Sequence, residues 1–446
     1  MSGYGIKNIF SPSRVIFFSL IAMVLLGTCT LLLSCAHLGT LSIIDAFFTA
    51  TSALCVTGLT TVPLTVFTPF GKGIILVLIQ IGGLGIITLT LFVVSLVLNL
   101  GMGTKIMAEE LLDVDTWDNT KKLLIFIIIT TFIFEGLGFL ILFNSLKVHF
   151  PCATALGYAL FQSISAFCNS GISLFGPEHT NLIQETFMCS VMGTLMILGG
   201  IGFLTLKEIL KRINPFSTKP RKICFSLQTK ICLFYYTGLT IITTFFFWII
   251  EKSHALKSFS FLQQAKISLF TAITSRSGGF LLLDPTQLQP QSFLLLIING
   301  FIGAAPASTG SGIKLTTFAI LITATYAVMQ LQEDVEMNGR TFAKDQLLKA
   351  LAVLVLSIGW IIFSTFCLMI TDPHHSFLSI IVETTSAFTT LGISTGITPL
   401  LSESGKCIIA LTIFLGRISP LTMLLALRFG NKQHEFSYPE ERVMIS

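Results

Sequence analysis

Four times in 446 residues an apolar segment of this chain runs into a short polar stretch centred on one glycine, at Gly58, Gly171, Gly279 and Gly392, and leaves through another apolar segment. The separations are 113, 108 and 113 residues. A period this regular predicts four copies of one unit around a shared axis. Because glycine has no Cβ, it lets backbone carbonyls line a passage too narrow for any other residue. Four such loops together have the means to replace the water shell of a cation.

The surrounding composition sets the solvent. With 53% hydrophobic residues, 40 Phe and only 11% charged residues, the chain carries more apolar surface than one soluble core hides. Apolar runs at roughly 15–36, 71–100, 121–145, 185–210, 229–250, 291–330, 348–370 and 404–428 match the hydrocarbon thickness of a bilayer. Between the members of each pair lies a shorter segment, at 42–57, 155–170, 262–277 and 376–391. These are too short and too polar to cross, so they are expected to be re-entrant half-helices. Irregular backbone at that depth is tolerated only when buried in protein or lining a cavity. The expected fold is an all-α integral membrane protein of four tandem helix–pore-loop–helix repeats around a central pore, with eight transmembrane helices and four half-helices. The repeats divide as 1–100, 101–222, 223–345 and 346–446, with pore loops at 42–60, 155–173, 262–280 and 376–394.

The units read in parallel. Ser52-Ala53, Ser165-Ala166 and Ser386-Ala387 each stand six and five residues ahead of their glycine. The third unit, Thr274-Ser275-Arg276-Ser277-Gly278-Gly279-Phe280, lacks Ser-Ala and is the divergent copy. A second motif follows each loop: Gln80-Ile81-Gly82-Gly83, Ile197-Leu198-Gly199-Gly200, Phe301-Ile302-Gly303-Ala304 and Phe414-Leu415-Gly416-Arg417. Its first glycine falls 24, 28, 24 and 24 residues after the loop glycine.

Charge gives the orientation. Segments assigned inside, among them Lys121, Lys122, Lys207, Lys211, Arg212, Lys230 and Arg428, hold 18 of the 27 Lys and Arg, and the outer segments hold 7. The positive-inside rule then puts both termini in the cytoplasm and the glycine loops near the outer face. The net charge of +5 requires no nucleic acid partner. The ten cysteines are scattered without zinc spacing and read as packing residues. The pair His374-His375 falls on an outer loop, and no nucleophile–base set or nucleotide cradle is present in the sequence. An enzyme is not expected, nor an organic cofactor.

The strings Thr49-Ala50-Thr51-Ser52-Ala53-Leu54-Cys55-Val56-Thr57-Gly58, Gln80-Ile81-Gly82-Gly83-Leu84-Gly85, Ser163-Ile164-Ser165-Ala166-Phe167-Cys168-Asn169-Ser170-Gly171 and Phe414-Leu415-Gly416-Arg417-Ile418-Ser419-Pro420 resemble the Trk/Ktr/HKT superfamily of potassium transporters. With about 14 residues ahead of the first span, the extra N-terminal helix pair of the Trk branch is not expected, and the likeness is strongest to the KtrB-like membrane subunit. That resemblance implies potassium uptake through one conduction path in a bacterial cytoplasmic membrane. It also implies a homodimer in the membrane and a cytoplasmic RCK-type nucleotide-binding regulator, KtrA-like, as partner.

Carbonyl rings for K⁺ are expected from Val56-Thr57-Gly58-Leu59, Asn169-Ser170-Gly171-Ile172, Ser277-Gly278-Gly279-Phe280 and Thr390-Leu391-Gly392-Ile393. One aligned glycine per repeat gives fewer uniform carbonyl layers than a two-glycine filter, so weaker discrimination against Na⁺ is expected. In the sixth span, Gly303-Ala304-Ala305-Pro306-Ala307-Ser308-Thr309-Gly310-Ser311-Gly312 cannot continue as regular helix. The resemblance identifies it with the family's gating loop, here with Ala305 and Ala307 where the family is richer in glycine; a passive kink is the alternative. Arg417 is buried in the last span and must face protein or water. It is expected either near the gating loop, where the family carries an arginine, or in an ion pair with Glu135, the one carboxylate expected deep in a span. Lys314 either snorkels to the inner interface or joins the gate, and Arg276 is expected to brace the filter backbone. A coupled secondary transporter, Na⁺-driven, remains the alternative to a gated pore, and the basic inner loops with the tail from Arg428 are expected to dock the regulator.

Overall fold

The computed structural model describes residues 12–85, 117–175, 186–213, 225–332 and 334–418. Its helices in chain order begin with α1 (Pro12–Leu31), α2 (Ile43–Leu54) and α3 (Pro69–Gly83). Next come α4 (Trp117–Leu146), α5 (Cys152–Phe167), α6 (Thr186–Gly200) and α7 (Phe203–Ile213). They are followed by α8 (Leu227–Glu251), α9 (Phe261–Thr274), α10 (Pro290–Ile302) and α11 (Leu315–Met329). The last three are α12 (Lys344–Thr371), α13 (Phe377–Thr389) and α14 (Glu403–Ile418). A hairpin of β1 (Glu336–Met337) and β2 (Arg340–Thr341) joins α11 to α12 through Asn338-Gly339, both with positive φ.

Local chemistry sets where the short helices begin. Ser42 accepts from the Asp45 amide at the start of α2, Ser376 from the Ser379 amide at α13, and Ser260 with Gln263 forms a capping box at α9. Proline at the first helical turn starts α3 and α10.

Among the described residues, three helices are long and apolar enough to cross a membrane, namely residues 122–146, 227–251 and 344–371. They coincide with three of the expected spans. The expected spans 71–100 and 404–428 are described only to residues 85 and 418, and the tail from Arg428 lies outside the described residues. The expected continuous span at 185–210 requires correction: α6 and α7 meet at 106° across Gly200-Ile201-Gly202. Gly202 sits at φ +90°, which turns the chain out of the helix. Beyond the bend, α7 ends on Lys211 and Arg212, suited to its C-terminal dipole.

The packing closes on itself. The short helices α2, α5, α9 and α13 each contact the outer helix that precedes them, α1, α4, α8 and α12. Each exit helix then lies against the next short helix along the chain: α3 against α5, α6 against α9, α10 against α13, and α14 back against α2. The apolar interior follows this arrangement. One large cluster joins Phe167, Phe270 and Phe293, and a second joins Phe48, Ile79 and Ile413.

Candidate ion-conduction site

Each short helix ends just ahead of its loop glycine, so its C-terminal partial negative charge is directed at the loop. In all four loops the residue two before the glycine and the glycine itself have positive φ: Val56 and Gly58, Asn169 and Gly171, Ser277 and Gly279, Thr390 and Gly392. Alternating the hand of the backbone in this way turns successive carbonyls to the same side of the chain. The loops are closed from behind by matched bonds from the Thr57 amide to Ser52 O (2.9 Å), Ser170 to Ser165 O (2.8 Å) and Leu391 to Ser386 O (2.8 Å). The Ser165 hydroxyl also donates to Ile172 O at 2.6 Å. The third loop, without Ser-Ala, is tied one residue differently, from Gly278 N–H to Thr274 O (2.6 Å), while Thr274 Oγ1 donates to Phe280 O at 2.8 Å.

The four glycines form a ring. A Cβ on Gly58 would lie 2.6 Å from Ser170 O and 3.2 Å from Gly171 Cα. On Gly171 it would lie 2.8 Å from Gly279 Cα, and on Gly279 it would lie 3.0 Å from Leu391 O and 3.4 Å from Gly392 Cα. On Gly392 it would strike Thr57 O, which returns the circuit to the first loop.

The second glycine motif has an equally steric cause. Cβ atoms on Gly82, Gly199 and Gly416 would fall on the carbonyl oxygens of Leu54, Phe167 and Phe388, each four residues before a ring glycine. The matching carbonyl in the third copy, Ser275 O, faces Gly300 at 3.2 Å. The register that placed Gly303 in this role is therefore corrected to Gly300; Gly303, at φ +75°, ends α10 instead.

The break at Gly303–Gly312 is bonded to the second, third and fourth loop-and-helix units and linked to the first through Arg417. Its backbone reaches α6 through Ala305 N–H to Gly200 O (3.1 Å) and Thr309 N–H to Gly199 O (3.2 Å), and the Phe203 amide at the start of α7 donates back to Ala307 O (2.8 Å). The two helix breaks thus satisfy each other's backbone groups, which water cannot do at that depth. Asn169 Nδ2 donates to Thr309 Oγ1 (2.8 Å) and Ser277 Oγ accepts from the Ser311 amide (3.1 Å), so the segment hangs directly from two ring loops. Arg417 Nη1 donates to Thr309 O (2.7 Å) and Ser311 Oγ (3.2 Å), and its Nη2 donates to Gly82 O. Lys314 Nζ donates to Gly310 O at 2.5 Å. Ala304, Ala305, Thr309 and Ser311 are buried, Pro306 and Ser308 are partly buried, and Ala307 is exposed at the tip. Ala307 and Lys314 hold positive φ, unusual for residues with a Cβ.

Of the two places open to Arg417, its bonds select the broken segment, while other charged groups lie elsewhere than expected. Arg417 makes no pair with Glu135, whose carboxylate accepts instead from Gln80. Lys314 does not run to an interface but turns back to the broken segment. Arg276 is 2% exposed; no nitrogen of its guanidinium has a hydrogen-bond partner, and it lies over the Tyr236 ring at 4.3 Å. It packs behind the third loop and does not bond the filter backbone. Two further carboxylates are fully buried outside the middle of a span: Glu251, the last residue of α8, and Glu383, in the short helix α13. Glu383, nine residues before Gly392, accepts from the Thr395 amide (3.0 Å), Thr398 Oγ1 (2.9 Å) and Ser394 Oγ, fixing the chain just after the fourth loop. Gln162 holds the same position in the second copy and accepts from Ser173 Oγ at 3.3 Å. Counting back nine residues from each glycine finds this polar pair in the sequence.

Helices of spanning length around four converging backbone loops define a multi-pass membrane transport protein. The sequence matches the TrkH family, cation transport protein, over residues 13–437, and the chain belongs to that family. It is 34% identical over 438 residues to Ktr system potassium uptake protein B of Bacillus subtilis, with 97% of this chain and 96% of that protein covered. It is 29% identical to potassium/sodium uptake protein NtpJ of Enterococcus hirae, covering 90% and 89%. Among solved structures, the potassium transporter TrkH from Vibrio parahaemolyticus superposes with a TM-score of 0.74 at 17% identity, over 96% of this chain and 86% of that one, and so shares the fold. The family is one of ion transporters, not of enzymes.

Proposed function

We propose that this chain takes up potassium across the bacterial cytoplasmic membrane through a channel-like pore of four helix–pore-loop–helix repeats, with eight transmembrane helices, four re-entrant half-helices and both termini cytoplasmic. The closed ring of Gly58, Gly171, Gly279 and Gly392 carries this reading. Backbone so close that no Cβ fits, together with paired positive φ values in every loop, suits carbonyl oxygens that exchange for an ion's hydration shell. K⁺ would be held by backbone carbonyls of residues 56–59, 169–172, 277–280 and 390–393, without any organic cofactor.

The segment 303–312 serves as the gate in this reading, with Arg417 and Lys314 holding it under the ring. Its many directional bonds to separate helices favour a seated plug over a passive kink. A cation approaching from below also meets the positive charge of Arg417. The active form is a homodimer whose gate is set by a cytoplasmic RCK-type nucleotide-binding subunit.

A second reading, a less selective or Na⁺-coupled transporter, draws support from the similarity to a potassium/sodium uptake protein. Rubidium uptake in a bacterium stripped of its own K⁺ systems, and liposome flux with and without an imposed Na⁺ gradient, separate the two. The pore reading expects K⁺ or Rb⁺ flux down its own gradient without Na⁺. Flux that appears only with a Na⁺ gradient would overturn it.

A further inference from the structure

Among the described residues, three glutamates are buried, and their surroundings are not alike. Glu383 receives a backbone N–H and three hydroxyls, from Ser394, Thr395 and Thr398. Glu251 receives the amides of Gln289 (2.9 Å) and Ala255 (3.4 Å) and the hydroxyl of Ser292. Each of these carboxyl groups therefore has three or more donors around it. Glu135, 4% exposed in the middle of α4, has much less. A single amide nitrogen, Gln80 Nε2, is shared between its two oxygens at 3.0 and 2.9 Å, and the Cys168 thiol, a weak donor, approaches Oε1 at 3.6 Å. An ionised carboxylate so poorly solvated inside a membrane protein is costly. The arginine that offers itself as counter-charge, Arg417, spends its donors on Thr309, Ser311 and Gly82.

The partner completes the argument. Gln80 Oε1 is buried and has no hydrogen-bond partner, which itself carries a desolvation penalty. One added proton answers both deficits. A protonated Glu135 donates O–H to Gln80 Oε1 and accepts Nε2–H on its other oxygen, a cyclic carboxyl–amide pair reached by rotating the Gln80 amide about its last torsion. We infer that Glu135 and Gln80 form a proton-binding site, a neutral carboxyl–amide pair that joins α4 to α3 beside the second loop. Its neighbours fit a neutral group. The titratable residue in contact is Cys168, at the end of α5, two residues before Ser170 of the ring. On α6, which packs against α4, the titratable group is the buried Cys189. From α14 the nearest charge is Arg417, bonded to Gly82 two residues beyond Gln80. The site therefore keeps a fixed negative charge away from the ring, leaving its backbone carbonyls to set the field the ion meets.

Infrared spectroscopy of the full chain in lipid vesicles at neutral pH tests this. The parent should show the C=O stretch of a protonated carboxyl, moved by side-chain ¹³C-labelling of glutamate. The band should disappear in Glu135→Gln and shift toward that of an unbonded carboxyl in Gln80→Leu. Absence of the band from the parent, or its persistence unmoved in both variants, would overturn the inference. Absence of the isotope-shifted band from the unmodified chain overturns the inference whether or not a variant folds, and its loss in folded Glu135→Gln assigns the band to Glu135 among the buried glutamates. Glu135→Gln, which keeps a neutral group of the same shape, should also retain Rb⁺ uptake; loss of uptake in a folded Glu135→Gln would mean that the charge is needed, against the inference.

Discussion

Lys406 Nζ lies 2.8 Å from Asp45 Oδ1, an ion pair between the first short helix and the last exit helix that joins residues 361 apart in sequence. Both side chains are 15% exposed, so the pair is partly shielded from water. It sits where α14 returns to α2 and closes the ring of packed helices. Lys406→Ala or Asp45→Asn should each lower unfolding stability by about 1 kcal/mol, and the double variant should cost less than the sum. Thermal unfolding in lipid across a double-mutant cycle checks this, and strict additivity would exclude a direct interaction.

Gly58→Ser and Gly392→Ser place a side chain where the ring has no room and should reduce K⁺ over Na⁺ preference while the protein still reaches the membrane. Ion competition in Rb⁺ uptake reports the change. Unaltered preference in both variants removes the filter assignment.

Glycines of different surroundings should respond differently. A Cβ on Gly416 meets Phe388 O, whereas one on Gly359, in α12, meets nothing within 4 Å. Gly416→Ala should abolish recovery of folded protein. Gly359→Ala should be neutral or stabilising by up to about 1 kcal/mol, the ordinary helix preference for alanine. Size-exclusion profiles and thermal unfolding of the two distinguish them.

If the broken segment is a seated plug, deleting Ala305 to Gly310 should raise basal cation flux severalfold without the regulator. Arg417→Ala should act in the same direction, because it removes both the bond to Thr309 O and a positive charge near the path. A folded deletion variant whose flux stays at or below the parent's would reduce the segment to a kink. Liposome K⁺ flux supplies the measurement.

Asp372, just past α12, accepts from the Ser402 amide (2.7 Å) and hydroxyl (3.0 Å) and from Thr371 Oγ1 (2.7 Å). Burial opposes its charge, but these donors, with His375 nearby, hold its carboxyl below the usual aspartate value. A carboxyl depressed in the folded state contributes stability at pH above the ordinary aspartate range and loses it as pH falls through the folded value. Asp372→Asn should therefore be less stable than the parent at neutral pH by about 1 kcal/mol, with the gap closing in acid. A gap independent of pH would mean that the charge plays no part.

Much of this was legible along the chain because it depends on local chemistry. The short helices begin and end within a few residues of where polarity and length placed them, since serine caps and glycine loops act on their neighbours. The bend between α6 and α7 was not legible. Gly199-Gly200-Ile201-Gly202 lies inside an apolar run, and apolarity reports burial without direction. The shift from Gly303 to Gly300 was hidden for a related reason, because the spacing rule selects Gly303, yet that glycine faces Ser311 O of its own broken segment while Gly300 faces Ser275 O of the third loop.

From the sequence alone come the solvent, the fourfold period, and the positions where a Cβ is forbidden. A missing side chain, however, does not say which atom uses the space. Tertiary structure decided that Gly392 faces Thr57, that Arg417 bonds Thr309 and not Glu135, and that the two helix breaks satisfy each other's backbone. These partners lie about a hundred residues or more apart. Hydropathy and propensity act over a few turns of helix, and only the folded path of the chain brings such groups within the reach of a hydrogen bond.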